Sequence, residues 1–130
     1  NPFAKMTKPP SISDAERKIM KLLWRKSPQP AYDLIQELAE KEKWLPRTVK
    51  SLLNRLIRKK ALGHKAYKNL YLYYPLVSEE ECAKAESESF LKQVFDGSLA
   101  MMLVQYAKHK KLTRAEIDEL KRMIEQQEKK

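Results

Sequence analysis

From Ser13 onward the apolar residues recur at helical spacing, and the pattern changes only once before the chain's midpoint. Ser13-Asp14-Ala15-Glu16 reads as a capping box, in which the serine hydroxyl and the glutamate carboxylate satisfy free N–H groups at a helix start. Behind it Ala15, Ile19, Leu22 and Leu23 fall on one face, and Pro28 and Pro30 end the helix. A second helix starts near Pro30, with Ala31, Leu34, Ile35, Leu38 and Ala39 as its apolar stripe. Glu42–Leu45 is long enough only for a turn. Pro46 suits the first turn of a third helix, where its missing N–H costs nothing. This helix covers about 46–60 and turns Val49, Leu52, Leu53, Leu56 and Ile57 inward. Gly63 ends the helical stretch. His64–Tyr67 and Leu70–Pro75 then read as two strands around Lys68-Asn69, with Asn69 suited to a left-handed turn.

Helical spacing returns after Val77. Ser78-Glu79-Glu80-Glu81 is a second capping box, opening a helix through Cys82, Ala85, Ser89 and Phe90 to about Phe95. Asp96-Gly97 breaks it and Ser98 can cap the next, whose stripe is Leu99, Met102, Leu103, Tyr106 and Ala107. Thr113-Arg114-Ala115-Glu116 opens a last helix with Ile117, Leu120, Met123 and Ile124 inward. Three helices in 53 residues lie near the lower limit for an independent core. The stripes are broad, so they fold back on the N-terminal part or meet an identical copy. An isologous dimer is the preferred solution, with Phe90, Leu99, Met102, Leu103, Tyr106, Ile117, Leu120 and Ile124 as its contacts.

Charge divides the chain at the same place as the pattern. Residues 1–77 hold 17 Lys and Arg against 6 Asp and Glu, a net of +11, whereas residues 78–130 hold 10 against 11. The excess points to a polyanionic partner for the first part alone. The expected organisation is a flexible arm over 1–11, a DNA-binding domain over 12–77 and a helical dimerisation domain over 78–130. The longest apolar run is the six residues Leu99–Val104, too short to span a bilayer. Nothing at the start resembles a secretory signal, so a cytoplasmic protein without direct membrane binding is expected.

Chemistry other than binding finds no constellation. His64 and His109 are far apart in the chain and Cys82 is the single cysteine, which leaves no positioned nucleophile and base, no disulfide and no cysteine-rich metal site. No catalytic residue, metal or cofactor is expected. Cys82 reads as a small buried hydrophobe, and Lys108–Lys111 as a solvated helix end.

The third helix is where function is most legible. Opposite its apolar stripe lie Arg47, Ser51, Asn54, Arg55 and Arg58, with Thr48 and Lys50 on the flanks, and no acidic residue occurs in the helix. A helix that merely faces solvent mixes charge signs, because opposite pairs stabilise it. A cationic face with Ser, Thr and Asn suits a DNA major groove, where Arg and Lys meet phosphates and guanine edges and Asn pairs with adenine. Arg55 and Arg58 are placed on phosphates. Two helices, a short turn and a hairpin make a winged helix-turn-helix, the wing bringing Lys65 and Lys68 to the backbone. Tyr67, Tyr71, Tyr73 and Tyr74 read as strand packing in preference to base stacking. Three functions fit this pattern: a sequence-specific repressor, a nonspecific nucleic-acid binder, and a module for an acidic protein partner. Thr48, Ser51 and Asn54 favour the first.

Ile12-Ser13-Asp14-Ala15-Glu16, Leu23-Trp24, Arg47-Thr48-Val49-Lys50, Leu52-Leu53-Asn54-Arg55-Leu56, Tyr73-Tyr74-Pro75-Leu76-Val77 and Phe95-Asp96-Gly97-Ser98-Leu99, in that order, resemble the penicillinase-repressor (BlaI/MecI-type) transcription factors. The resemblance implies a mainly α fold, with a winged helix followed by a C-terminal three-helix dimerisation module. It also implies a homodimeric repressor on a near-palindromic operator of β-lactam-resistance-type genes. In such systems a membrane sensor-protease signals, and the repressor is cut in its dimerisation module, by that protease or by a downstream one. The cut position corresponds to Gln105-Tyr106, where relatives often carry Asn-Phe. Leu45 is a second departure, standing where the family commonly has a capping Ser. The clustered C-terminal cysteines of copper-responsive relatives have no counterpart in Glu125–Lys130.

Overall fold

A computed structural model of the protein describes residues 8–129; most of the expected arm, through Thr7, lies outside the described residues. The elements run α1 (Asp14–Arg25), β1 (Gln29–Pro30), α2 (Ala31–Glu42), α3 (Pro46–Arg58), β2 (Leu62–Tyr67), β3 (Leu70–Pro75), α4 (Glu79–Phe95), α5 (Leu99–His109) and α6 (Arg114–Glu128). Packing divides the chain into two units, one ending at Ser87 and the other beginning at Glu88, inside α4.

The first unit is a winged helix. Ser13 and Glu16 form the reciprocal capping box that starts α1. Ile19, Met20 and Leu23 from α1, Leu34 and Leu38 from α2, and Val49, Leu53 and Leu56 from α3 make its dry centre. The three strands form an antiparallel sheet in the order β1-β3-β2, with Lys65 opposite Leu72 and Tyr67 opposite Leu70. Val77 and Cys82 join the same core, and the Trp24 indole N–H donates to the Val77 carbonyl at 2.9 Å. Burial pushes the Cys82 thiol above its ordinary value, in keeping with a packing role. The charge boundary at Val77-Ser78 and the packing boundary at Ser87 therefore differ, because the first turns of α4 are anchored by Cys82 and by an ion pair between Arg17 and Glu86.

Three local expectations are corrected, and one element is added. Gly63 does not terminate helical structure but lies within β2, opposite Tyr74. A Cβ there would sit 2.7 Å from the Tyr74 ring, so the missing side chain lets that ring lie against the strand. The left-handed residue of the wing turn is Lys68, at φ 56°, and not Asn69; a two-residue turn can place its positive φ at the first position. Ala39 is exposed rather than inward. β1, two residues long, has no periodic signature and exists by pairing with β3.

In the second unit, positive φ at Asp96 and Gly97 stops α4, Ser98 caps α5 and Thr113 with Glu116 caps α6. No residue of α5 or α6 is buried. Met123 and Ile124 are 52% and 58% exposed, so they are not inward as expected: among the described residues nothing covers them. Met102, Leu103, Tyr106, Leu112, Leu120 and Met123 line an open apolar groove of about 430 Å³, with Glu116 and Glu119 on its margin.

Candidate nucleic-acid interface

The turn before α3 is set by Lys43, whose left-handed conformation (φ 62°) caps α2. Leu45 is extended at the N-cap of α3 and offers no side-chain hydrogen bond. With Pro46 at the first position, the helix nevertheless starts where a capping serine would have placed it. Leu45→Ser is therefore expected to stabilise the first unit by about 1 kcal/mol, read as a higher thermal midpoint of the full chain.

Val49, Leu52, Leu53 and Leu56 bury one side of α3, which forces the intervening residues outward. Arg47, Lys50, Ser51, Asn54, Arg55 and Arg58 are exposed and Thr48 is half-buried. The structure thus brings seven of the nine candidate DNA-contacting residues onto one solvent-facing side of one helix. The other two, Lys65 and Lys68, are exposed on the wing, where each ammonium lies over a tyrosine ring, Tyr74 at 5.9 Å and Tyr67 at 5.5 Å. Tyr67 and Tyr71 are exposed, whereas Tyr73 packs on the core.

Pairing distinguishes α3 from its neighbours. On α1 and α2, Lys18 pairs with Glu42, Arg25 with Glu37 and Lys41 with Glu37. Among the described residues, Arg47, Lys50, Ser51, Asn54 and Arg58 meet no carboxylate and no hydrogen-bonding side chain. A row of cations left unneutralised on a rigid helix makes a concentrated positive field, suited to phosphates that would displace their counterions.

The C-terminal end of α3 differs. Lys59 Nζ lies 2.6 Å from Glu16 Oε1 and Arg55 Nε 3.4 Å from Glu16 Oε2, although Glu16 is wholly buried. Burial raises the Glu16 pKa, but hydrogen bonds from Lys59 and Ser13 outweigh it and hold the carboxyl below its ordinary value. It is charged at neutral pH. Read from sequence, Glu16 is a cap and nothing more. The missed signal is its spacing to Met20 and Leu23, which places it on the buried face of α1.

The residues expected at a dimer contact lie in the second unit. Phe90, Leu99, Tyr106 and Ile124 are exposed at 51%, 53%, 43% and 58%, and Met102, Leu103, Ile117 and Leu120 are half-buried. Phe90 stacks at a tilt on Phe95, ring centres 5.9 Å apart. Gln105 and Tyr106 are exposed within α5. No helix among the described residues is long and apolar enough to cross a membrane.

The penicillinase repressor family model matches residues 12–126. The penicillinase repressor of Bacillus licheniformis is 35% identical over 121 residues, which is 93% of this chain and 94% of that protein. The methicillin resistance regulatory protein MecI of Staphylococcus aureus (strain N315) is 28% identical over 113 residues, 87% of this chain and 92% of the relative. Among solved structures, the solution structure of monomeric Bacillus licheniformis BlaI in complex with the blaP half-operator is similar, with 38% identity and a TM-score of 0.52. It covers 58% of this chain and 93% of that one.

Proposed function

The chain belongs to the penicillinase repressor family, a family of DNA-binding transcriptional repressors and not of enzymes, and from that premise we propose that it acts as a cytoplasmic homodimer on a near-palindromic operator. Each copy seats α3 in the major groove of one half-site and lays its wing along the backbone. The observation that carries this reading is the unpaired face of α3, where Arg47, Lys50 and Arg58 keep their charge free beside Ser51 and Asn54. Ser51 and Asn54 add donors and an acceptor that can pair with base edges in the major groove, which a face of cations alone does not offer as fully.

Dimerisation is supported by the second unit's lack of buried residues in α5 and α6. Exposed apolar surface on that scale on so short a unit marks an interface, and a second copy supplies a self-complementary cover. That a relative was solved as a monomer on a half-operator supports one copy per half-site. The regulated genes are of the β-lactam-resistance type. Signalling from a membrane sensor-protease ends in a cut at Gln105-Tyr106. A protease needs the backbone extended, so the cut requires α5 to open and give up its cover in the dimer.

Footprinting on DNA upstream of the protein's own gene, with excess unrelated competitor at near-physiological salt, tests the reading. The expected result is a protected near-palindrome with two equal halves. Uniform salt-sensitive coating would instead make the protein a nonspecific binder.

A further inference from the structure

Glu16 is more buried than its capping task requires. Its Oε1 accepts the Ser13 backbone N–H at 2.8 Å and the Lys59 ammonium at 2.6 Å. Oε2 is shielded from solvent and accepts no hydrogen bond among the described residues; the group facing it is Arg55 Nε at 3.4 Å. The other two capping boxes need no burial, since Glu81 and Glu116 are exposed. A buried carboxylate oxygen without a partner is costly, and this one lies directly beneath the helix that carries the interface. The Arg55 side chain is 47% exposed, with its Nε edge towards Glu16. A guanidinium is a rigid planar fork, so fixing that edge fixes the direction of the terminal nitrogens.

We propose that Glu16 is a positioning residue for DNA binding: its Oε2 holds the plane of Arg55 so that the terminal guanidinium nitrogens meet a backbone phosphate of double-stranded DNA. Lys59, bound to the other oxygen, keeps the carboxylate in place for this task. The inference rests on α3 being the DNA-facing helix. It also reverses a simple Coulomb expectation. Removing a negative charge from beneath a DNA interface would tighten binding if only the net field mattered.

The experiment measures operator affinity of the full-length chain across a salt series for Glu16→Gln, Arg55→Lys and the double variant. Glu16→Gln keeps the side chain's size and is expected to weaken operator binding about 10-fold, the scale of one charge-assisted hydrogen bond. Arg55→Lys keeps the charge but cannot engage a carboxylate and a phosphate through opposite edges of one plane, so it is expected to lose a similar factor. The double variant is expected to be no weaker than Arg55→Lys alone, because the two changes remove one arrangement. Binding of Glu16→Gln at or above the parent's affinity, or losses that multiply in the double variant, would overturn the proposal. If Glu16→Gln fails to fold, Arg55→Lys still leaves the Glu16–Lys59 pair in place, and parent-like affinity of that variant sinks the proposal. Arg47→Ala in the same series separates the premise. If it binds like the parent, the assignment of α3 fails and the positioning role with it; if it weakens while Arg55→Lys does not, only the positioning role fails.

Discussion

Phe90→Lys combined with Ile124→Lys is expected to lower affinity for the full operator by about 100-fold while leaving half-operator binding unchanged. Both side chains are more than half exposed in the single chain, so the substitutions remove nothing from the core of the first unit. What they remove is the second binding event. Once one copy of a dimer is bound, the other is held near its half-site at high effective concentration, and losing the link loses that gain without touching any DNA contact. Sedimentation at micromolar concentration should show a monomer in place of a dimer. Far-ultraviolet circular dichroism should show a partial loss of helix, because α5 and α6 bury no residue of their own and short helices are marginal without packing. A variant that still sediments as a dimer would move the interface elsewhere. A monomer that binds the full operator as tightly as the parent would remove the need for one.

The division between what was legible and what was not follows the range of the forces involved. Helix starts are written locally: Ser13 with Glu16, Ser78 with Glu81 and Thr113 with Glu116 each close within four residues, and all three capping boxes are present. The buried stripe of α3 was equally readable, because Val49, Leu52, Leu53 and Leu56 repeat at the helical period. From it the outward row from Arg47 to Arg58 follows by geometry. β1 was invisible since Gln29 and Pro30 become a strand only by pairing with Leu72 and Tyr73, more than forty residues later in the sequence. The pairing of Arg55 and Lys59 with Glu16 was hidden for the same reason, as it joins α3 to the start of α1. The inward orientation expected of Met123 and Ile124 failed because periodicity names the face a helix buries but not the surface that buries it. Among the described residues nothing buries these two side chains.

Arg47→Ala and Asn54→Ala are expected to reduce discrimination between the operator and unrelated DNA, whereas Arg58→Ala is expected to weaken both alike. The contrast follows from position on α3. Arg47 stands in its first turn and Asn54 on its exposed face, and a recognition helix meets base edges chiefly through its N-terminal residues. A lost bidentate contact to a guanine or adenine edge costs about 1–3 kcal/mol against the correct site and little elsewhere. Arg58 stands in the last turn, where a helix leaving the groove passes the backbone. Its loss should flatten the slope of log affinity against log salt by about 1, for specific and nonspecific DNA together. Titrations on both DNAs across a salt series measure the two quantities separately. Equal behaviour of all three variants would mean that α3 lies across the backbone with no end in the groove. The base-reading assignment of Arg47 and Asn54 would then be wrong, while the unpaired charge of the helix would still account for DNA affinity.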